Sequence, residues 1–582
     1  MESAEDSVFR ISSTVRALSS ALRGEPSGEA DSGSSECGVS SSGDPGKLWF
    51  KESSAKNLRN RDFLAPAAVL RKLFPDGQVP DAAVRRVRAV RGAAVLPLGG
   101  CEDGAVGLRV RADRPAVFRG VLHNTTPYLG QGGAKGGGRG VVLNCPALHP
   151  APSPQQLSVG QLRTILIADH LGALCRRQGF SVSLCPVLEE GSDIIAFLQE
   201  LGVDWPTVPV GWTNQEREAG LRDALMNSPY SETGGGGGRE EEEAGGGTER
   251  ERGRATWRMG GREDEKGGQW VRVDLKRLVR EQRLLGYDPN LSPCPVQQEG
   301  VAHLAQLQAA LSACEGAECS VLHVSTCQQE IRQQQLCVLW RAGGASATQK
   351  LLVCGPVKPA GSESEPSAAQ YLQLRRAQMR EASEMKYGEQ MQGQTWGDII
   401  RVMTSATVRF DLLSTAHHSP VTVDVGPGGC VSTKGGRGGV FVLYNCARLA
   451  TLFSSYDRAR QQGLYPDIPD VSQLDFATLK EEGEWLLLFN YIIPFPELLD
   501  QSGEGLEGDR GLRVSLGTEA VCRFLVSLSM NFSSYYNRVH ILGEPLPHLF
   551  SQMFSRLQLL SAVRELFHSA LDTLHIPPLS QL

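Results

Sequence analysis

Four arginines, Arg85, Arg86, Arg88 and Arg91, crowd into one short stretch of a chain whose net charge is −6. Guanidinium groups held together in this way can neutralise phosphates, the step that supplies most of the salt-dependent affinity for RNA. Around them, Lys47–Arg119 holds fifteen Lys and Arg against seven Asp and Glu, a local balance of +8 in an otherwise acidic molecule. In an ordinary domain that would describe a solvated basic surface, and the asymmetry is what points to an anionic partner. A second set lies near the C-terminus, where Tyr535-Tyr536 is followed by Asn537-Arg538. Tyr535 falls on an apolar helical stripe. Tyr536, Asn537 and Arg538 fall off it and face solvent or a partner. An accessible tyrosine ring can stack on an unpaired base, because every base offers a π-face.

Other chemistries find little support. The fourteen cysteines include no Cys-x-x-Cys pair. Cys314/Cys319 and Cys319/Cys327 have poor metal spacing and no clustered His. They read as reduced thiols of a cytoplasmic protein, with no metal and no cofactor implied. Gly234–Gly238 lacks a following Gly-Lys-Ser/Thr and a preceding strand, so no phosphate loop is expected there. No apolar run is long enough to span a bilayer, and the N-terminus shows no h-region with a cleavage site.

These side chains need elements to hold them. From Glu519 to Leu542, Val521, Leu525, Leu528, Phe532, Tyr535 and Val539 recur at steps of four and three, one face of a helix. Thr518 stands at its expected N-cap and Gly543 at its expected end. A second stripe runs Leu546, Leu549, Met553, Leu557, Leu560, Val563, Phe567, Leu571 and Leu574, and Pro577-Pro578 ends it. Glu484–Leu499 is apolar on all sides and is expected between those two helices. The middle of the chain alternates strand and helix: VVLNCPAL, then a helix and strand within LSVGQLRTILIADHLGALCRRQGFSVSL, later CSVLHVS, a helix around Gln328–Arg341, and LLVCGPV. That order predicts a Rossmann-type fold. Val8–Leu22 is amphipathic. Residues 24–46 and 231–268 are low-complexity segments that cannot bury a core.

The stretches GEWLLLFNYIIPFPELL, VCRFLVSLSMNFSSYYNRVHIL and SRLQLLSAVRELFHSALDTLHIPP resemble the DALR anticodon-binding domain of arginyl-tRNA synthetases. The resemblance extends back through LYNCARL and ATVRFDLLS to about Val141, and it implies a helical domain that grips an anticodon stem and loop. It also implies that the basic N-terminal region leans on the tRNA elbow. The family's His-x-Gly-His signature aligns with Ser158-Val159-Gly160-Gln161, so both imidazoles directed at phosphate oxygens are absent. His149 and His170 are too far from the helix start to replace them. Where the mobile Lys-Met-Ser-Lys-type loop belongs, the chain has VKPAGSESEPSAAQ, with Lys358 but also Glu363 and Glu365. Ser432-Thr433-Lys434-Gly435 looks similar, yet it lies just before the helix that follows the catalytic domain, so Lys434 is placed outside the active centre.

The fold class expected is α/β plus all-α. A degenerate Rossmann-type, synthetase-like core (141–400, interrupted by 231–268) follows a short helix with a disordered segment (1–46) and a small basic domain (47–140). A C-terminal helical anticodon-binding bundle (401–582) completes it. The function implied by the resemblance is non-catalytic recognition of arginine tRNA through its anticodon arm. The protein would then serve as adaptor for an anticodon-loop modifying enzyme such as a 3-methylcytidine methyltransferase, with no membrane or DNA partner. The RNA contacts expected are Tyr536 and Arg538, with Asn537, Arg523, Arg556 and Arg564 as further contacts, and Arg85, Arg86, Arg88 and Arg91 in the N-terminal region. Two alternatives stay open: an active ligase-like enzyme with altered signatures, and a scaffold subunit of a complex whose RNA binding has decayed. Leu512–Leu582 holds five Arg and four Asp/Glu, a balance that keeps the scaffold in play.

Overall fold

The computed structural model describes residues 8–24, 48–76, 78–130, 137–234, 270–314, 318–361, 365–388, 394–426, 438–503 and 511–581. Nearly all of the two low-complexity segments, with Glu363 and Lys434, lies outside the described residues. At the edge of the second segment the sequence expectation is corrected. Ser231–Gly234 forms a strand paired antiparallel with Trp270–Val273, so a strand does precede the glycine run.

The N-terminal unit begins with α1 (Ile11–Arg23), which buries Ile11, Val15, Leu18 and Leu22, an apolar repeat of four, three and four. Gly24 ends it at φ 82, a left-handed conformation that glycine adopts without a Cβ clash. Strands β1 (Lys51–Glu52), β2 (Phe63–Pro66), β3 (Leu98–Glu102) and β4 (Gly107–Ala112) form an antiparallel sheet in the order β1-β2-β4-β3. Helices α2 (Ala67–Leu73), α3 (Asp81–Arg88) and α4 (Arg114–His123) complete the unit.

Next come β5 (Gly140–Asn144), α5 (Val159–Arg177), β6 (Ser181–Cys185), β7 (Leu188–Glu189), α6 (Asp193–Glu200), β8 (Thr207–Val208), α7 (Gln215–Met226) and β9 (Ser231–Gly234). After the undescribed stretch follow β10 (Trp270–Val273), α8 (Leu275–Glu281), β11 (Cys294–Pro295), α9 (Gln298–Ala313), β12 (Cys319–Thr326), α10 (Glu330–Ala342) and β13 (Thr348–Cys354). Strands β13-β12-β5-β6 form a parallel sheet in that order. The chain leaves β5 toward β6 and returns to β12 on the other side, so the strand order reverses between β5 and β12. In such folds the ligand crevice lies at that point, beyond the carboxyl ends of the strands.

Beyond the sheet, β14 (Val357–Ala360) pairs in parallel with β15 (Val421–Asp424), and α11 (Ala368–Tyr387) and α12 (Gln394–Leu413) lie between them. α12 runs through residue 401, so core and bundle share a helix. The bundle continues with α13 (Gly439–Gln461), α14 (Glu482–Leu487), a π-helical turn at Leu488–Ile492, α15 (Phe495–Gly503), α16 (Ala520–Arg538) and α17 (Pro547–Asp572). Two buried arginines fasten bundle to core. Arg163 on α5 donates to the carbonyls of Gly355, Leu412, Thr415, Ala416 and Ser419. Arg409 on α12 pairs with Asp169 at 2.9 Å, and Asp169 also meets His575 Nδ1 at 2.9 Å.

Several expectations for the bundle need correction. Thr518 is buried and does not cap α16, whose N-cap is Glu519. The helix ends at Arg538 before Gly543, and the Gly543 carbonyl accepts from the Tyr465 hydroxyl at 2.6 Å. Leu546 and Leu549 are exposed, whereas the stripe from Met553 to Leu574 is buried. The Glu484–Leu499 segment does pack on α16 and α17, but it also faces the N-terminal unit. Trp485 Nε1 donates to Asp62 at 2.8 Å, and Phe63 meets Phe489 edge-on at 5.5 Å. Partners on both sides leave this segment little solvent face, which is why it is so largely apolar. Among the described residues, no helix is long and apolar enough to cross a membrane.

Candidate nucleic-acid interface

Tyr536 and Asn537 come together on α16 with a residue that sequence reasoning overlooked. The Arg448 guanidinium on α13 sits 4.4 Å from the centre of the Tyr536 ring. Its two terminal nitrogens donate to Ser533 Oγ at 3.0 Å and to Asn537 Oδ1 at 2.6 Å. Those bonds fix the guanidinium plane, and stacking on it fixes the ring. Burial pushes the half-buried Tyr536 hydroxyl up from its ordinary pKa, with Arg448 pulling the other way, so it stays a neutral donor. One helical turn earlier, Tyr444 lies 5.6 Å from Arg448 and 5.7 Å from Lys386. Lys386 in turn lies 4.3 Å from the ring of Tyr387. Rings and cations therefore alternate along the surface. Half-buried rings interleaved with cations are the pairing that single-stranded nucleic acid calls for.

The available sequence signal was the spacing of Tyr444 and Arg448, i and i+4 on one helix face. Its partner Tyr536 is 88 residues away, and no local pattern joins the two.

The other expected contacts are dispersed. Arg538 is exposed beside the platform, its Nε donating to Ser534 O at 3.1 Å. Arg523 stands at the far end of α16, about 20 Å from Tyr536 at 1.5 Å per residue, and binds Ser414 O and Glu519. Arg556 turns inward to Glu484 at 2.8 Å, and that fully buried carboxylate also accepts from the Tyr535 hydroxyl. Arg564 stacks on Phe453 at 4.2 Å, where a groove of about 680 Å³ follows a different face of α13 from Tyr444 and Arg448.

In the N-terminal unit, Arg86 donates to Ala21 O at the carboxyl end of α1, where a cation complements the helix dipole. Arg88 donates twice to Cys101 O, and Arg91 to Arg88 O and Val90 O. These arginines, with Arg85, are exposed, and three of the four also brace the backbone.

The crevice between β5 and β12 has a different character. His323 on β12 faces Asn144, the last residue of β5. Its Nδ1 lies 2.9 Å from both Asn144 Nδ2 and Gln333 Nε2, and its Nε2 lies 3.3 Å from Gln349 Oε1. His303 Nε2 meets Asn144 Oδ1 at 3.0 Å, and the His149 ring packs edge-on against His303 at 4.5 Å. Burial lowers the pKa of His149 and His323 to about 4 and that of His303 well below its ordinary value, so all three are neutral. The cavity beside them measures about 40 Å³, against roughly 300–1,000 Å³ for small-molecule pockets.

At the start of α5, Ser158 and Gln161 bind each other's backbone N–H in a capping box. The chain after β14 returns against this helix start. A Cβ placed on Gly160 would lie 4.0 Å from Glu365 Oε1. A helix N-terminus attracts anions, and here a carboxylate of the chain itself stands close by.

A sequence profile of the DALR N-terminal domain matches residues 9–128, and one of the DALR anticodon binding domain matches residues 442–582. Among solved structures, arginyl-tRNA synthetase of Thermus thermophilus superposes with a TM-score of 0.57 at 14% identity, covering 98% of this chain and 100% of that one. Arginyl-tRNA synthetase of Plasmodium falciparum does so with a TM-score of 0.54 at 10% identity, covering 92% and 94%. At these identities the likeness shows the fold: a mixed α/β core with a C-terminal helical domain. Among named relatives, DALR anticodon-binding domain-containing protein 3 of Danio rerio is 58% identical over 99% of this chain and 100% of its own length. Its Mus musculus counterpart is 41% identical over 92% and 96%. With that identity over nearly its whole length, the chain belongs to the family of DALR anticodon-binding domain-containing protein 3.

Proposed function

We propose that this protein is a non-catalytic, cytoplasmic adaptor that binds arginine tRNA through the anticodon arm and presents it to an anticodon-loop modifying enzyme, such as a 3-methylcytidine methyltransferase. The DALR domain and the synthetase-like fold support tRNA binding. The observation that carries the reading is the Tyr536 ring held at the surface by Arg448, with Asn537 beside it. A ring so fixed has little rotamer freedom left to lose when a base stacks on it.

Supporting the non-catalytic part, the nucleotide crevice is filled by Asn144, His323, His303 and Gln333. The helix start that would meet phosphate has Ser158 and Gln161 engaged with each other. A protein that holds the anticodon arm without charging the tRNA leaves the product to a partner, and joining two modest surfaces raises effective concentration and so selectivity.

The test is sequencing of RNA that co-purifies with the protein from cells, with mapping of loop modifications after depletion. Enrichment of arginine tRNAs and loss of one loop modification on them are expected. Absence of that enrichment, or persistence of every modification, overturns the adaptor. Pyrophosphate exchange with ATP and arginine should stay at the level of an arginine-free control, and exchange above it restores the ligase reading.

A further inference from the structure

The alternation of rings and cations continues past Lys386 onto the seam between α11 and α12. Tyr387, at the end of α11, meets Trp396, near the start of α12, at 5.1 Å between ring centres. Further along the same pair of helices stand Arg376 and Arg380, one turn apart on α11, and Arg401 on α12. Arg380 and Arg401 both stand near enough to Arg376 to repel it. Burial first, then Arg380 and Arg401, lower the pKa of Arg376 below that of an ordinary guanidinium.

Carboxylates relieve only part of this. Arg376 pairs with Glu200, and Arg401 reaches Asp398 only at 3.9 Å. Arg380 is exposed, and among the described residues no carboxylate pairs with it, although Glu384 lies one turn further on. From Arg376 to Tyr387 the row extends about 16 Å along the helix axis. Through Lys386, Tyr444 and Arg448 it then joins the Tyr536 platform without a break.

We propose that the α11–α12 seam is a second RNA-binding surface, on which Arg380 and Arg401, with Arg376 behind them, engage stem phosphates while the Tyr536 platform takes the unpaired loop. The inference rests on the tRNA-binding reading and adds that the bundle alone does not supply the affinity. Two exposed guanidiniums, Arg380 without a carboxylate partner among the described residues and Arg401 with only a long contact to Asp398, beside the half-buried rings of Tyr387 and Trp396 are suited to a polyanion with bases. Contacts to phosphate carry no sequence information, so the seam contributes affinity and register rather than choice of sequence.

The experiment uses the full chain and a fluorescein-labelled transcript of an arginine tRNA, titrated at several salt concentrations, with a second tRNA transcript as the comparison. Each lost phosphate contact lowers the slope of log K against log salt by roughly 0.9. The R380Q/R401Q variant should bind roughly tenfold to thirtyfold more weakly near physiological salt, with a slope smaller by about two. Its preference between the two tRNAs and its urea midpoint should not move.

Affinity and slope unchanged within twofold overturn the seam. A wild-type protein that prefers neither tRNA, with R380Q/R401Q still losing slope, leaves the seam standing and removes the arginine-tRNA specificity. A selective wild type with an unaffected R380Q/R401Q removes the seam alone. Loss of poly-glutamate binding with RNA binding intact would make the seam a site for acidic protein segments and end the proposal.

Discussion

The crevice at the end of the parallel sheet and the face shared by α13 and α16 are both rich in polar side chains, but they use them in opposite ways. In the crevice, Asn144, His303, His323 and Gln333 point at one another and are buried. On the helical face, Arg448, Asn537, Tyr444 and Tyr536 also bind one another, yet all four are half-buried or exposed rather than enclosed. A closed polar network in low dielectric stabilises and specifies the fold, whereas an open one on a rigid helix pair is preorganised for a ligand. Polarity alone therefore does not mark a binding site. Substitutions that move stability should therefore separate cleanly from those that move RNA affinity.

The largest effect is expected on the inward side of the bundle. Glu484 is fully buried and is bound by Arg556 and Tyr535. Breaking a buried pair by removing one partner costs about 3–5 kcal/mol. R556A should lower the unfolding free energy by about that much in urea titrations, while the folded fraction binds tRNA normally. Weakened RNA binding by folded R556A at unchanged stability would reverse the assignment and return Arg556 to the interface.

On the outward side the pattern should invert. Stacking of a base on an aromatic side chain is worth about 1–3 kcal/mol, so Y536A should lose roughly tenfold to a hundredfold in affinity for an anticodon stem-loop. R448A should follow it, since without the guanidinium the ring loses its support. The urea midpoint of Y536A should shift little. A loss of stability as large as that of R556A would show that the face is closed as well, and the contrast would collapse.

The histidines of the crevice give that region a pH signature. The folded-state pKa values of His149 and His323 are depressed to about 4 by burial, and that of His303 is lower than usual for the same reason. Glu299 opposes the shift at His149, and Arg332 adds to it. Below an unfolded value near 6.5 the unfolded chain takes up protons that the folded one refuses. The stabilising contribution is therefore complete above pH 6.5 and is lost as the pH falls toward 4. At pH 5.5 the loss is about 1 kcal/mol per histidine. Urea midpoints measured at pH 7.5 and 5.5 should fall accordingly, and less so in H303Q. RNA binding, corrected for salt, should change little across the same range.

Much of this arrangement was legible in the chain before the structure. Val521, Leu525, Leu528, Phe532 and Tyr535 are buried as their spacing requires, and the alternation of strands and helices announced a parallel sheet. What escaped depended on partners distant in sequence. The Glu484–Leu499 segment was apolar all round because the N-terminal unit covers its other side. Arg556 had the composition of a surface cation but is half-buried and turned inward, a difference made by Glu484, 72 residues away. Leu546 and Leu549 continued the stripe, yet at the start of α17 they are exposed. The shared helix α12 and the buried Arg409–Asp169 pair also mean that a cut near residue 400 would divide one folded unit. Point substitutions are accordingly the sharper tools.

The smallest effects are expected at arginines that are exposed yet off the platform, and they limit how far the binding face extends. Arg564 stacks on Phe453 above a groove on another face of α13, and Arg523 lies about 20 Å from Tyr536 along α16. A stem-loop seated on Tyr536 and running toward α11 and α12 leaves both behind. Each substitution removes a charge screened beyond a Debye length of about 8 Å, so R564A and R523A should change stem-loop affinity by less than about twofold. Equilibrium titrations beside Y536A give the comparison. Should R564A weaken binding as much as Y536A, the RNA must wrap α13 and contact both of its faces. The groove beneath Phe453 would then join the interface, and the open region would be about twice as wide as the ring-and-cation row suggests.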